Sequence, residues 1–342
     1  MPRSLFLGMP DHMDIYGVML DALRHHGFDV TDLIPSYQNL DIPAAAKFKA
    51  KLRRLFLRDK AAKGRLKEEA LHRRLTDTVK NSSEADYALF IRADLFRPEL
   101  IDAVRRKTRK TCAAYQWDGL ARYPGIYDAV ALFDRFYVFD PADLPSGNYL
   151  PLTNFYFDHL SDGLEAEPDT DLYFIGSHIP ERTQSLIDIA RFAQTAGLRT
   201  DITVACGRNQ IKELEPQYAA AGIRTADRPA GYAENLARAR HTRILLDFKH
   251  PAHNGLSFRP FEALGYRKKL ITTNAEIKKY DFYHPDNIFI WDGKSSDGLE
   301  AFLAKPYHEM PSEIREKYSF GNWIKYVLQI EPYLSISLPE PT

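Results

Sequence analysis

Residues 244–274, ILLDFKHPAHNGLSFRPFEALGYRKKLITTN, decide the fold of this chain. An apolar segment at 244–247 leads into a polar loop that contains Gly255, then into a short helical segment, and then into a second apolar segment at 270–273. Strand, loop, helix and strand in about thirty residues predict a βαβ unit. Because ligands of open α/β sheets gather at the carboxyl ends of such strands, we expect much of any active site here.

The same alternation extends through the rest of the chain. Short apolar segments separated by segments of helical periodicity occur at 4–8, 87–91, 111–115, 136–140, 172–176 and 201–205. The acidic segment 161–171 contains Gly and Pro, has no apolar periodicity, and is typical of a linker. A length of 342 residues suits two domains. The pattern predicts an α/β protein with two Rossmann-like domains, at 1–160 and 172–317.

Composition excludes several classes of protein. The 46 Lys and Arg residues balance 46 Asp and Glu residues, so we expect no nucleic-acid partner for the chain as a whole. The only two cysteines, Cys112 and Cys206, lie far apart and suggest neither a disulfide framework nor a zinc site. No segment has the apolar length of a signal peptide or a membrane span. We therefore expect a cytoplasmic protein.

Residues 47–80 are strongly basic. They contain thirteen Lys and Arg residues against four Asp and Glu residues, a net charge of +9. The first half is predicted to be an amphipathic helix, because four apolar residues share one helical face: Phe48, Leu52, Leu55 and Phe56. Two interpretations follow. Residues 47–67 contact an anionic membrane, or they form a solvated helix that packs on its own domain through the apolar stripe, and the two interpretations can hold together.

Three residues of the first half are candidates for a catalytic base. Asp11 and His12 follow the first predicted strand, where a base would face a cleft, although Asp11 also suits a helix cap. Asp118 follows the strand at 111–115 and is placed either to touch a ligand or to cap a turn. The glycine fingerprint GxGxxG is absent from the first strand–helix turn, which disfavours a nicotinamide cofactor.

The second half offers a candidate phosphate site and a weak metal motif. Ser177 follows the strand at 172–176 and Arg182 lies a turn further on, which suits either a phosphate cradle or a simple helix cap. Asp169 and Asp171 match a DxD metal motif, but they follow a proline and precede the strand. We interpret them as linker acids and expect no metal ion.

The opening stretch also carries a family resemblance. Residues 255–274 fit the pattern GLxxRxFEALxxxKKLITTN, which resembles GT-B glycosyltransferases from bacterial capsule, exopolysaccharide and lipopolysaccharide clusters. The family's paired glutamates, E-x7-E, would fall at 254 and 262; Glu262 is present, but position 254 is Asn254, so half the motif is kept. Residues 318–328 are similar to the terminal helix that crosses back to the first domain in such enzymes, which leaves 318–342 as a helix and tail.

The resemblance implies a GT-B architecture, with two Rossmann-like domains facing across a cleft. It implies metal-independent transfer of a sugar from a nucleotide sugar to a glycan or lipid-linked acceptor at the inner face of the membrane, with no cofactor. Glu262 would bind the ribose, and Arg259, Lys249 and the first turn of the helix would bind the diphosphate. The full expected donor set is Ser177, Arg182, Lys249, His250, Asn254, Gly255, Leu256, Ser257, Arg259 and Glu262.

Local chemistry is compatible with these roles. Ser257 is expected to cap the helix, and Pro260 is tolerated in its first turn, where an N–H has no helical partner. The alternative for Glu262 is a helix-surface acid paired with Lys or Arg. Two other functions stay open: a sugar-nucleotide epimerase of the same fold, and a noncatalytic protein that binds a nucleotide sugar or a glycan.

Overall fold

The computed structural model describes residues 2–56, 58–164 and 167–340. Residue 57 of the predicted basic segment, residues 165 and 166 of the predicted linker, and residues 341 and 342 of the predicted tail lie outside this description. The chain divides into two compact units. The first contains Met1–His12 and Leu23–Tyr137, and the second contains Met13–Ala22 and Val138–Thr342.

The first sheet has six strands in the order β2-β1-β3-β4-β5-β6. Its pairs β1–β2, β1–β3 and β3–β4 are parallel. The strands are β1 Arg3–Gly8, β2 Phe28–Asp32, β3 Tyr87–Ile91, β4 Cys112–Gln116, β5 Arg135–Val138 and β6 Leu150–Pro151. The helices of this part of the chain are α1 Ile15–His25, α2 Ala44–Phe56, α3 Ala62–Asn81 and α4 Pro98–Arg106.

The second sheet has six strands in the order β12-β11-β10-β7-β8-β9, and each neighbouring pair is parallel. The strands are β7 Thr170–Ser177, β8 Thr200–Ala205, β9 Arg224–Ala226, β10 Thr242–Asp247, β11 Lys269–Thr272 and β12 Ile288–Ile290. The helices are α5 Thr183–Thr195, α6 Ile211–Ala219, α7 Tyr232–Arg240, α8 Phe258–Gly265, α9 Leu299–Ala304, α10 Ser312–Lys317 and α11 Phe320–Leu328. The predicted α/β class with two parallel sheets is confirmed.

The order of strands reverses between β7 and β10. From β7 the chain proceeds outward to β8 and β9, and from β10 it proceeds in the other direction to β11 and β12. Leu172, Phe174, Ile244 and Leu246 hold the two central strands in one apolar core. In sheets of this kind, ligands bind outside the carboxyl ends of the strands at the reversal. The topology therefore directs attention to the residues that follow β7 and β10.

Strand β7 begins two residues earlier than the predicted segment, at Thr170, so Asp171 lies within the sheet. Its carboxylate accepts hydrogen bonds from Arg199 at 3.1 Å and from Arg243 at 3.2 Å. Burial alone would raise the pKa of Asp171, but these hydrogen bonds outweigh burial and hold the pKa below its usual value. Asp171 is thus an ion-paired strand residue, and its interpretation as a linker acid was wrong.

Helix α2 exposes the apolar stripe that the sequence placed on one face. None of its residues is buried, and Phe48, Leu55 and Phe56 are 61%, 62% and 78% exposed. The interpretation in which this stripe packs on its own domain is therefore wrong. Within residues 2–56, 58–164 and 167–340, no helix combines the length and the apolar character that a membrane crossing requires.

Candidate functional site

A cavity of about 330 Å³ lies at the carboxyl ends of β7 and β10, at the reversal of strand order. Its volume is in the range of small-molecule binding sites. The strand ends contribute its floor, the loop after β10 and the first turn of α8 form one side, and α7 contributes polar groups. The lining residues are Phe174, Ile175, Arg182, Tyr232, Asn235, Leu246, Asp247, Phe248, Lys249, His250, His253, Gly255, Ser257, Phe258, Arg259, Glu262 and Asn274.

Asp247 fixes the start of α8 at the cavity. Its carboxylate accepts hydrogen bonds from the Ser257 hydroxyl at 2.9 Å and the Thr272 hydroxyl at 2.8 Å. The Ser257 hydroxyl in turn accepts a hydrogen bond from the backbone N–H of Arg259 at 3.2 Å and caps the helix, as predicted. The positive end of the α8 dipole therefore opens on the cavity, where it favours an anion.

Glu262 and Arg259 belong to a buried network of polar side chains. One oxygen of Glu262, which is only 1% exposed, accepts a hydrogen bond from Arg259 at 2.6 Å, and the other accepts one from the Tyr232 hydroxyl at 2.9 Å. Arg259 also donates to Asn235 at 3.0 Å, and Asn235 accepts from the Tyr173 hydroxyl at 2.8 Å. Each member is held by its neighbours, which orients Glu262 rigidly at the cavity wall.

The pKa shifts in this network preserve its charge pattern. Burial, together with the negative charge of Glu262, raises the pKa of the Tyr232 phenol well above its usual value. Burial alone would lower the pKa of Arg259, but the Glu262 carboxylate, together with Tyr173, Tyr232 and Asp247, outweighs that effect and the pKa of Arg259 rises. Tyr232 therefore remains a neutral hydrogen-bond donor, and Arg259 remains charged and engaged with Glu262.

Arg182 contributes a guanidinium to the cavity. In the part of the chain that the structure describes, no carboxylate lies within 4 Å of its guanidinium, which donates to the carbonyl of Ser177. The guanidinium also lies over the rings of Phe174 and Phe248, at 5.3 and 5.8 Å from their centroids. Burial lowers the pKa of Arg182. An anion in the cavity would relieve this cost, because it would place a negative charge in contact with the guanidinium.

The loop after β10 adds further basic groups. Lys249 donates from its ammonium group to the Asn254 side-chain oxygen at 2.9 Å. The rings of His250 and His253 stack with centroids 5.0 Å apart. Among the lining residues, three Lys and Arg side chains face two Asp and Glu side chains. The cavity thus has a positive balance and suits an anionic ligand.

Seven of the ten predicted donor residues line this cavity: Arg182, Lys249, His250, Gly255, Ser257, Arg259 and Glu262. The other three lie beside it. Ser177 supplies the carbonyl that Arg182 contacts. The Asn254 N–H donates to Asp140 at 3.0 Å, and the carbonyl of the buried Leu256 accepts from Asn154 at 2.9 Å.

The three candidate bases lie in the first unit. Asp11 and His12 are exposed in the loop after β1. Asp118 follows β4 and accepts hydrogen bonds from Arg122 at 2.7 Å and Arg92 at 3.4 Å, so both its oxygens are already engaged. The structure therefore brings the predicted donor residues together in the second unit, whereas the predicted bases belong to the other one.

Several residues of the site were missed from the sequence. Tyr232 and Asn235 of α7 line the cavity and hold Glu262 and Arg259. One signal was available, because Asn235 lies at helical spacing from Tyr232 and Ala239, and a polar residue on such a face needs a partner. Neither in this cavity nor elsewhere in the described residues is a cluster of three or more His, Cys, Asp or Glu side chains arranged to hold a metal ion.

Close contacts require glycine at both ends of the stretch 255–265. A Cβ atom on Gly255 would lie 2.7 Å from the backbone oxygen of Phe139, and one on Gly265 would lie 2.1 Å from the ring of Tyr156. We expect Gly265→Ala to lower the free energy of unfolding by about 1–3 kcal/mol, as overpacked core sites do.

Chemical denaturation checks this expectation, with Gly64→Ala in α3 as the matched control. A Cβ atom at Gly64 meets nothing within 4 Å, so the control is expected to lose no stability. If Gly265→Ala is as stable as the control, the close approach of α8 to Tyr156 is wrong.

No protein-family model matches this sequence, and a search of the curated proteins finds no match either. Among solved structures, the chain is similar to S. aureus MnaA solved with UDP, with a TM-score of 0.53 and 10% identity over 97% of this chain and 99% of that one. It is similar to the UDP-GlcNAc 2-epimerase from Neisseria meningitidis bound to UDP-GlcNAc, with a TM-score of 0.51 and 10% identity over 95% and 98% of the two chains.

It is also similar to an α-glucosyltransferase solved with UDP and DNA, with a TM-score of 0.52 and 11% identity over 89% of each chain. At such identities the likeness concerns the fold alone. The chain therefore has the two-sheet α/β fold that its resemblance to the GT-B glycosyltransferases implies, a fold it shares with a sugar-nucleotide epimerase as well.

Proposed function

We propose that the cavity of the second unit binds a nucleotide sugar and that the protein transfers the sugar to a glycan or lipid-linked acceptor. The observation that carries the proposal is a cavity with a positive balance at the reversal of strand order, lined both by the first turn of α8 and by Arg182, which has no carboxylate in contact among the described residues. A diphosphate is the anion that such a site suits. The similar solved structures, which contain UDP or UDP-GlcNAc, support the same ligand class.

The diphosphate would lie between Arg182, Lys249 and the first turn of α8. Cleavage of the sugar–phosphate bond leaves negative charge on the diphosphate, and preorganised donors stabilise that charge in the transition state. Removal of one such donor typically costs about 3–4 kcal/mol in the activation free energy. No metal ion is required by this arrangement, since the cations of the protein occupy that role.

The roles of Glu262 and Arg259 differ from each other in this proposal. Each carboxylate oxygen of Glu262 has one protein donor, and a carboxylate has about four acceptor sites in all. Glu262 therefore retains capacity to accept ribose hydroxyls. Arg259 is committed to Glu262 and Asn235, so we assign it to positioning Glu262 rather than to the diphosphate.

For the acceptor, we propose the first unit, with Asp11 or His12 as the base. These two residues are exposed, whereas Asp118 is engaged by two arginines. We propose that the acceptor is a growing capsule, exopolysaccharide or lipopolysaccharide glycan. The exposed apolar stripe of α2, among the basic residues of 47–67, would contact an anionic membrane at the cytoplasmic face.

A thermal-shift screen against UDP, GDP, CMP and dTDP sugars tests the donor assignment. One nucleotide class is expected to raise the apparent melting temperature, because a ligand that binds only the folded state stabilises it, by about 2.7 kcal/mol at a hundred times Kd. A screen in which no nucleotide sugar shifts the transition would contradict the proposal.

The second candidate function is sugar-nucleotide epimerisation, which the likeness to the Neisseria meningitidis enzyme favours. Incubation of the responding nucleotide sugar without an acceptor separates the two. A transferase is expected to return the sugar unchanged in configuration, whereas an epimerase converts it. Conversion without acceptor would replace our proposal, and tight binding without turnover of any donor–acceptor pair would indicate a noncatalytic binding protein.

A further inference from the structure

The first unit contains a second cavity, of about 380 Å³, between α2 and α3. Five of its eight lining residues are Lys or Arg, three from α2 and two from α3, and the other three are apolar or Ala. Among the residues that the structure describes, no acidic side chain lines it. The basic lining residues are Lys47, Lys51, Arg54, Lys63 and Lys67.

Helical spacing brings these five charges together. Lys47, Lys51 and Arg54 recur at intervals of four and three residues, and Lys63 and Lys67 are four apart, so each helix presents one basic face to the cavity. Within the described ranges none of the five has a carboxylate within 4 Å, whereas the nearby Arg65 is paired with Asp59. Like charges that face each other across a cavity repel, and a bound anion would relieve that repulsion.

The neighbouring face of α2 is apolar and exposed. Phe48, Leu52, Leu55 and Phe56 lie beside the basic face, and their exposed fractions run from 37% to 78%. A free phosphate ion would use only the basic residues and would leave this stripe in water. An anionic group carried on an apolar chain would use both, because its chain would cover the stripe.

We infer that this cavity is a second anion site, which holds the phosphate or diphosphate headgroup of a membrane lipid while the apolar stripe of α2 enters the lipid surface. Its volume corresponds to about a dozen water molecules at ~30 Å³ each, which accommodates such a headgroup. The inference rests on the proposed membrane contact of α2 but not on the donor cavity: the headgroup site would exist even if the second unit bound no nucleotide.

Co-sedimentation of the full chain with vesicles tests the inference. The probes are vesicles of phosphatidylcholine alone and of phosphatidylcholine doped with phosphatidic acid. The cavity variant is Lys51→Gln/Arg54→Gln/Lys63→Gln. The matched control is Lys49→Gln/Arg53→Gln/Arg73→Gln, which removes three exposed basic residues of the same two helices that do not line the cavity.

The wild-type chain is expected to bind the doped vesicles and not the phosphatidylcholine vesicles. The cavity variant should lose at least tenfold more of this binding than the control, although both lose the same charge. Equal losses would show diffuse electrostatic attraction and would overturn the headgroup site. Since all six positions are exposed, circular dichroism and an unchanged thermal unfolding transition should confirm that both variants fold.

A second arm distinguishes lipid from free phosphate. Because the cavity of the second unit is also proposed to bind a diphosphate, calorimetric titration with inorganic pyrophosphate is compared between the wild-type chain and the cavity variant, and the binding that the variant loses is assigned to this cavity. This binding is expected to be much weaker than that of the doped vesicles, and Phe48→Ser/Leu55→Ser should reduce vesicle binding without changing it. If pyrophosphate binds at the cavity but no vesicle does, the site takes a free anion and the lipid assignment is wrong.

Discussion

Glu262→Ala is expected to lower the free energy of unfolding by about 3–5 kcal/mol, the cost of breaking a buried ion pair by removing one partner. Glu262 is 1% exposed and its carboxylate lies 2.6 Å from Arg259, so the variant would leave a buried guanidinium without its counter-charge. The Tyr232 hydroxyl would lose its acceptor as well. Chemical denaturation measures the loss, with unfolding followed by tryptophan fluorescence, to which Trp291 and Trp323 of the second unit contribute.

The matched control is Glu276→Ala. Glu276 and Lys279 also form an ion pair between residues three apart, at 2.8 Å, but both side chains are partly exposed. Pairs of this kind contribute about 0–1 kcal/mol, so the control should lose little. Similar losses in the two variants would contradict the buried network around Glu262. Because Glu262→Ala changes folding, the effect of this residue on donor binding is better measured with Glu262→Gln, which keeps a side-chain acceptor.

Arg182→Ala is expected to weaken binding of the nucleoside diphosphate by roughly ten- to a hundredfold, which corresponds to about 1.5–3 kcal/mol for a hydrogen bond to a charged group. Stability should change little, since Arg182 forms no ion pair with a carboxylate of the described residues. Isothermal titration calorimetry provides the measurement.

Arg191→Ala, which removes an exposed arginine of α5, serves as the control and should bind as the wild type does. Arg182→Lys is expected to fall between them, because an ammonium keeps the charge but loses the planar fork of donors. If Arg182→Ala and Arg191→Ala bind the diphosphate equally, Arg182 is not part of the phosphate site.

The βαβ unit at the centre of the second sheet was predictable because its signals are local. Ser257 precedes the helical segment and does cap α8 through the Arg259 N–H, and Pro260 lies in the first turn. The apolar runs on either side form β10 and β11. Strands β9 and β12 were not predicted, because each has only three residues and so is too short to show an apolar pattern.

The different partners of Arg259 and Arg182 were not predictable from the sequence. The family resemblance placed Arg259 at the diphosphate, but in the structure Arg259 is bound by Glu262 and Asn235, and Arg182 has no acidic partner among the described residues. A sequence shows which residues carry charge. It does not show which charges are satisfied, because the partners come from other helices.

The same limit applies to α2 and to Asn254. Periodicity placed Phe48 and Leu55 on one face of the helix. Local spacing shows which residues share a face, but whether that face is buried depends on the packing of other elements against it. At Asn254, where the family's first glutamate is missing, the side chain accepts from Lys249 and the backbone N–H donates to the buried Asp140. That position is thus tied to a residue 114 positions away, which no local pattern reveals.

The central claim is that the cavity of the second unit recognises the diphosphate of a nucleotide. Calorimetric titration with the nucleoside diphosphate selected by the thermal-shift screen, and with the matching monophosphate and nucleoside, tests it most directly. We expect the diphosphate to bind more tightly than the monophosphate, and Arg182→Ala to remove most of that difference. Equal affinity of the wild-type chain for the diphosphate and the monophosphate, or a difference that persists in Arg182→Ala, would contradict the claim.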